Sequence, residues 1–144
     1  MQTHVVKSIL LALILISCSA TCLATIIANS NVVQNTISPS ELKSIFLGTT
    51  SHWNNDTPIT LCIDNSDSEK ANQFYKGILR KNPRSYQRFW SKKLFSGDAA
   101  TMPRIHKSPQ KALSFAINKE GAICYTSSLP ETLPYGIKVI EVSN

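Results

Sequence analysis

Residues 37–48, ISPSELKSIFLG, carry a full set of helix signals. Ser38 is an N-cap, Pro39 takes the first helical position, and Glu41 three residues on completes a capping box. Ile37 before the cap and Leu42 after it have the spacing of a hydrophobic staple. Leu42, Ile45 and Phe46 form one apolar face, and Gly48 supplies the stop. The helix is short and bounded by two β-like runs. Residues 25–33 (TIIANSNVV) precede it, and residues 58–63 (PITLCI) follow a polar loop around Trp53.

The same signals recur toward the C-terminus. Residues 64–68 (DNSDS) read as a turn capping a helix that starts near Glu69, with Phe74, Ile78 and Leu79 on its inner stripe. Asn82-Pro83 opens the next helix, where Tyr86, Phe89, Trp90 and Leu94 share one face. Arg84, Arg88 and Lys92 share another at i, i+4, i+8. A short extended piece at 103–106 leads to Ser108-Pro109, a third cap-plus-proline start, for a helix to about Lys119. Residues 121–126 (GAICYT) and 136–142 (GIKVIEV) are the last strands. The order β-α-β-α-α-(β)-α-β-β predicts an α/β fold, a three-layer sandwich around a central sheet.

Before the first strand lies an export leader. Lys7 gives the positive start, and residues 9–16 (ILLALILI) form an apolar run of eight. Such a run is too short to span a bilayer, which takes about 20 residues, and has the length of a signal core. Cleavage after Ala24 makes 1–24 a signal peptide and 25–144 a single domain in the periplasm or outside the cell. The alternative reads Leu15-Ile16-Ser17-Cys18 as a lipobox, with Cys18 lipidated and the protein anchored in the envelope. Membrane attachment is expected only in that case. Cleavage after Ala24 leaves Cys62 and Cys124, both in strand-like runs. An oxidising compartment favours a disulfide between them, and two separate buried thiols are the other reading.

Composition sets limits on function. The chain has 144 residues, 42% hydrophobic and 17% charged, which is globular rather than disordered. Its formal charge is +6. Eight basic residues fall between Lys70 and Lys93, with no acid between Glu69 and Asp98. A basic face of this kind attracts acidic partners, and Arg84, Arg88 and Lys92 are its best contacts. Trp53 in its polar loop reads either as a further partner contact or as a ring folded back as a lid on the core. Export and the lack of a recognisable motif argue against nucleic acid. His52 and His106 lack zinc spacing, so no metal or other cofactor is expected. Cys124 and His106 could form a nucleophile pair only if Cys124 were free. No nucleophile elbow, P-loop or dinucleotide fingerprint occurs, and the chain reads as a non-enzyme.

The segments ISPSELKSIFLG, PITL, FYKGIL, FWSKKLFSG and EGAICY together resemble the phosphate-type periplasmic substrate-binding proteins of ABC transporters. The likeness covers about 25–143 and is similar to small, single-lobe members. It implies one lobe of a type 2 periplasmic-binding-protein-like fold, binding of phosphate or another small oxyanion, and a link to ABC-type phosphate uptake. In that family the strand matching PITLCI leads into an Arg and a Ser/Gly-rich loop at a helix N-terminus, where converging N–H groups hold the anion. Here Asp64 stands at the Arg position, Asp67 and Glu69 add negative charge, and Ser66 and Ser68 are the remaining ligand donors. The missing second lobe, together with the basic face, implies the alternative role of an envelope interaction or accessory domain.

Overall fold

The computed structural model describes residues 25–143; the expected leader, with Cys18 and Ala24, lies outside the described residues. Six strands form one sheet: β1 (Thr25–Asn29), β2 (Thr36–Ile37), β3 (Thr60–Asp64), β4 (Arg104–His106), β5 (Ala122–Thr126) and β6 (Ile137–Val142). Their order is β2-β6-β1-β5-β3-β4. β1 runs antiparallel to both neighbours, and the other pairs are parallel.

Strand alternation sends side chains to two cores. Ile26, Ile63, Ile123, Tyr125 and Ile140 face one layer, containing α1 (Pro39–Phe46), α2 (Ser68–Phe74) and α3 (Pro83–Ser96). Ile27, Cys62, Cys124 and Ile137 face the other, where α4 (Pro109–Asn118) contributes Ala112, Leu113 and Ala116. Helices therefore cover both faces of a mixed sheet in a single domain.

The expected caps form. Ser38 accepts from the Glu41 N–H while Glu41 accepts from the Ser38 N–H, and Asp67, Asn82 and Ser108 cap α2, α3 and α4. Four features differ from the expectation. A two-residue strand, β2, stands between β1 and α1. The first strand ends at Asn29, whose side-chain amide turns to the Ala116 carbonyl. The helix after Glu69 widens into a π-helical turn at Tyr75–Leu79, closed by Arg80 in the left-handed region at φ 56°. In α3 only Tyr86 and Trp90 are buried; Leu94 is exposed, and Phe95 more so, in the last turn.

Tyr86 and Trp90 hold α3 to α1. The Tyr86 hydroxyl and the Trp90 indole N–H both donate to the Phe46 carbonyl, at 2.6 and 3.1 Å, satisfying an acceptor at the end of α1. Behind them the Phe74 ring stacks on Tyr125 at 4.4 Å and meets Phe46 edge-on at 5.2 Å.

Cys62 and Cys124 are register partners on β3 and β5, and they form a disulfide with Cα atoms 4.5 Å apart. The bond links residues 62 apart in sequence. Replacing both cysteines with alanine is expected to lower stability by about 3–4 kcal/mol, through the greater entropy of the unfolded chain. Denaturant midpoints of the two proteins check this, and an unchanged midpoint would contradict it.

Candidate functional site

The loop after β3 is built around Asp64. Its side chain is fully buried, 0% exposed, at the carboxyl end of the strand. One carboxylate oxygen accepts from the Ser66 N–H at 2.8 Å. The other accepts from the Ser127 N–H at 3.0 Å and the Ser127 hydroxyl at 2.7 Å. The Thr126 hydroxyl lies 3.4 Å from the same oxygen and 3.0 Å from the Ser128 carbonyl. Burial opposes charge on Asp64, but the hydrogen bonds from Ser66 and Ser127 outweigh it and hold the carboxyl below its ordinary range.

The hydroxyl protons follow from this arrangement. Ser127 spends its proton on Asp64, so at the 3.1 Å contact between the two hydroxyls Ser66 is the donor. Both Ser66 donors are thus committed inside the protein. Asp67 accepts from the Lys70 N–H at 3.1 Å and caps α2. The Lys70 ammonium closes the loop from outside by donating to the Ser127 carbonyl at 3.3 Å. Ser68 is exposed on the first turn of α2. The two expected ligand serines therefore differ: Ser66 is tied to Asp64 and Ser127, while Ser68 stands outside that network. Ser127 is the residue that sequence reasoning missed. It lies 63 positions from Asp64, and only the pairing of β3 with β5 brings them together.

The expected partner residues also separate. Trp53 is buried, and its indole N–H donates to the Gly121 carbonyl at 2.9 Å, so its ring pins the polar loop to the core instead of being presented to a partner. Arg84, Arg88 and Lys92 are all exposed along α3. Lys81 and Lys93 flank the Phe89 ring at 5.0 and 5.3 Å from its centre, extending the basic surface around the helix.

Cys124 is in the disulfide, which removes the free thiol that a Cys124–His106 pair requires. His106 rests against the Phe115 ring at 5.5 Å, and burial together with Lys111 and Arg104 pulls its pKa down. Among the described residues no group of three His, Cys, Asp or Glu side chains could hold a metal ion, and no helix is long and apolar enough to cross a membrane.

A groove opens beside the Asp64 loop, between α3 and the edge strand β4. Its volume is about 620 Å³, and Asn65, Tyr75, Arg84, Tyr86, Trp90 and Ile105 contribute to its walls. No protein-family model matches the chain, and no curated protein matches it.

Proposed function

We propose that this chain is an exported, non-catalytic domain built on one lobe of a type 2 periplasmic-binding-like fold, and that it works as an interaction or accessory domain in the cell envelope. One observation carries the reading. The donors of the Asp64–Glu69 loop are taken up by carboxylates of the chain itself: Ser66 and Ser127 by Asp64, and the start of α2 by Asp67. A phosphate arriving there would meet two negative groups instead of free N–H donors, and would have to displace a buried carboxylate. The basic surface of α3, with Arg84 and Arg88 exposed at its centre, favours an acidic partner.

The phosphate-binding reading, supported by the resemblance, predicts a different response to ligand. A site for phosphate at 100 times its Kd adds about 2.7 kcal/mol, a rise in Tm on the order of 10 °C for a domain of this size. Thermal unfolding in phosphate, sulfate and chloride at matched ionic strength is expected to give the same Tm in all three. A phosphate-specific rise would overturn the accessory reading and return the Asp64 loop to ligand binding.

A further inference from the structure

We infer that the groove between α3 and β4 is a binding site for a small organic carboxylate with an apolar body. The groove is separate from the Asp64 carboxylate, and it shares Arg84 with the basic surface of α3. Three observations point to it. The first is size: about 620 Å³ falls within the range of roughly 300–1,000 Å³ typical of small-ligand sites.

The second is the chemistry of its walls. Tyr86 and Trp90 turn their polar atoms inward to the Phe46 carbonyl, so they offer ring carbon to the groove. Ile105, 48% exposed, adds apolar surface from the edge strand. Two of its unspent polar groups are donors, and Gln87 adds an amide that can donate or accept. The Asn65 carbonyl oxygen accepts from the Tyr75 hydroxyl at 3.3 Å, while its side-chain NH₂ makes no hydrogen bond among the described residues. The Arg84 guanidinium likewise has no partner among them. An amide NH₂ and a guanidinium beside an apolar floor complement a carboxylate attached to an apolar group. The stretch between Glu69 and Asp98 contains no acid that would compete for Arg84 locally.

The third is the backbone. Tyr75 begins the π-helical turn, a rare widening of a helix that is frequent at functional sites. The Tyr75 ring packs edge-on against Tyr86 at 5.5 Å, and its hydroxyl orients Asn65. Asn65 follows the end of β3, while Met102, Pro103 and Ile105 lead into and along the edge strand β4, so the groove runs beside the free edge of the sheet.

Titration of the purified protein with 3-phenylpropionate, followed by the Trp90 indole and Asn65 side-chain NMR signals, tests the inference. Saturable shifts at both groups are expected. Arg84→Gln should weaken binding tenfold or more, and Ile105→Glu should abolish it by placing a carboxylate in the groove. Both positions are exposed, so folding should persist, which the remaining spectrum verifies. The neutral 3-phenylpropanamide should bind at least tenfold more weakly, and inorganic phosphate should not shift the Trp90 signal. Absence of saturation with the carboxylate, equal binding of the amide, or unchanged affinity in Arg84→Gln would overturn the inference.

Discussion

Gly121→Ala is expected to lower stability by about 3 kcal/mol or more, and to leave little folded protein if the parent is only marginally stable. Gly121 sits at φ 74°, and an added Cβ would lie 2.2 Å from the Pro58 carbonyl oxygen. That oxygen belongs to the backbone entering β3, so relief requires moving the strand that carries Cys62 and Asp64. The Gly121 carbonyl also receives the Trp53 indole N–H, and any displacement loosens the loop pinned by that ring. Gly97→Ala is the matched comparison. Gly97 has a similar φ of 80°, with nothing within 4 Å of its added Cβ, and should lose only about 1 kcal/mol from backbone strain. Denaturant unfolding of both variants separates the two contributions. Equal losses would show that the Pro58 contact does not matter.

Asp64→Ala is expected to cost about 2–4 kcal/mol, because it strips the acceptor from the Ser66 N–H and from both Ser127 donors at once. Asp64→Asn should behave similarly. Its single carbonyl oxygen can serve one side of the loop, while its NH₂ group faces a donor on the other. The pH dependence has a definite sign. Hydrogen bonding holds the folded-state pKa of Asp64 below the 3.8 of an ordinary aspartate, despite burial. The unfolded chain therefore takes up the proton first as pH falls. The Asp64 contribution is complete above about pH 4 and is lost as pH drops through the folded-state pKa. Asp64→Asn should flatten that part of the acid limb in a plot of stability against pH. An unchanged limb would mean that the carboxylate is not held by the loop.

Most of the fold was legible because its signals are local. Ser38 with Glu41, Asn82 with Pro83, and Ser108 with Pro109 mark helix starts by side chains that cap backbone groups within three residues. The disulfide was one of two readings, since only strand register could put Cys62 opposite Cys124. The two-residue β2 is too short for a periodic signal and exists through its pairing with β6. Apolar spacing put Leu94 inside, yet the end of α3 leaves it exposed, because periodicity identifies a face without saying how far the core extends beneath it. Trp53 in a polar loop read either as a partner contact or as a ring folded back on the core, and the distant Gly121 carbonyl fixes the second.

The candidate sites were less legible for the same reason. The acids of the Asp64–Glu69 loop were visible, but the partner of Asp64, Ser127, follows β5, which strand pairing alone sets beside β3. The donors Asn65 and Arg84, 19 positions apart, share a groove only in the folded chain.

The most direct measurement is a pH titration of the Asp64 carboxyl carbon by NMR, with the Ser66 and Ser127 amide signals recorded in the same samples, with and without millimolar phosphate. Asp64 should titrate below 3.8, the two amides should report its midpoint, and neither amide should move with phosphate at neutral pH. Titration at or above 3.8, or saturable movement of those amides with phosphate, would contradict a loop filled by its own carboxylate.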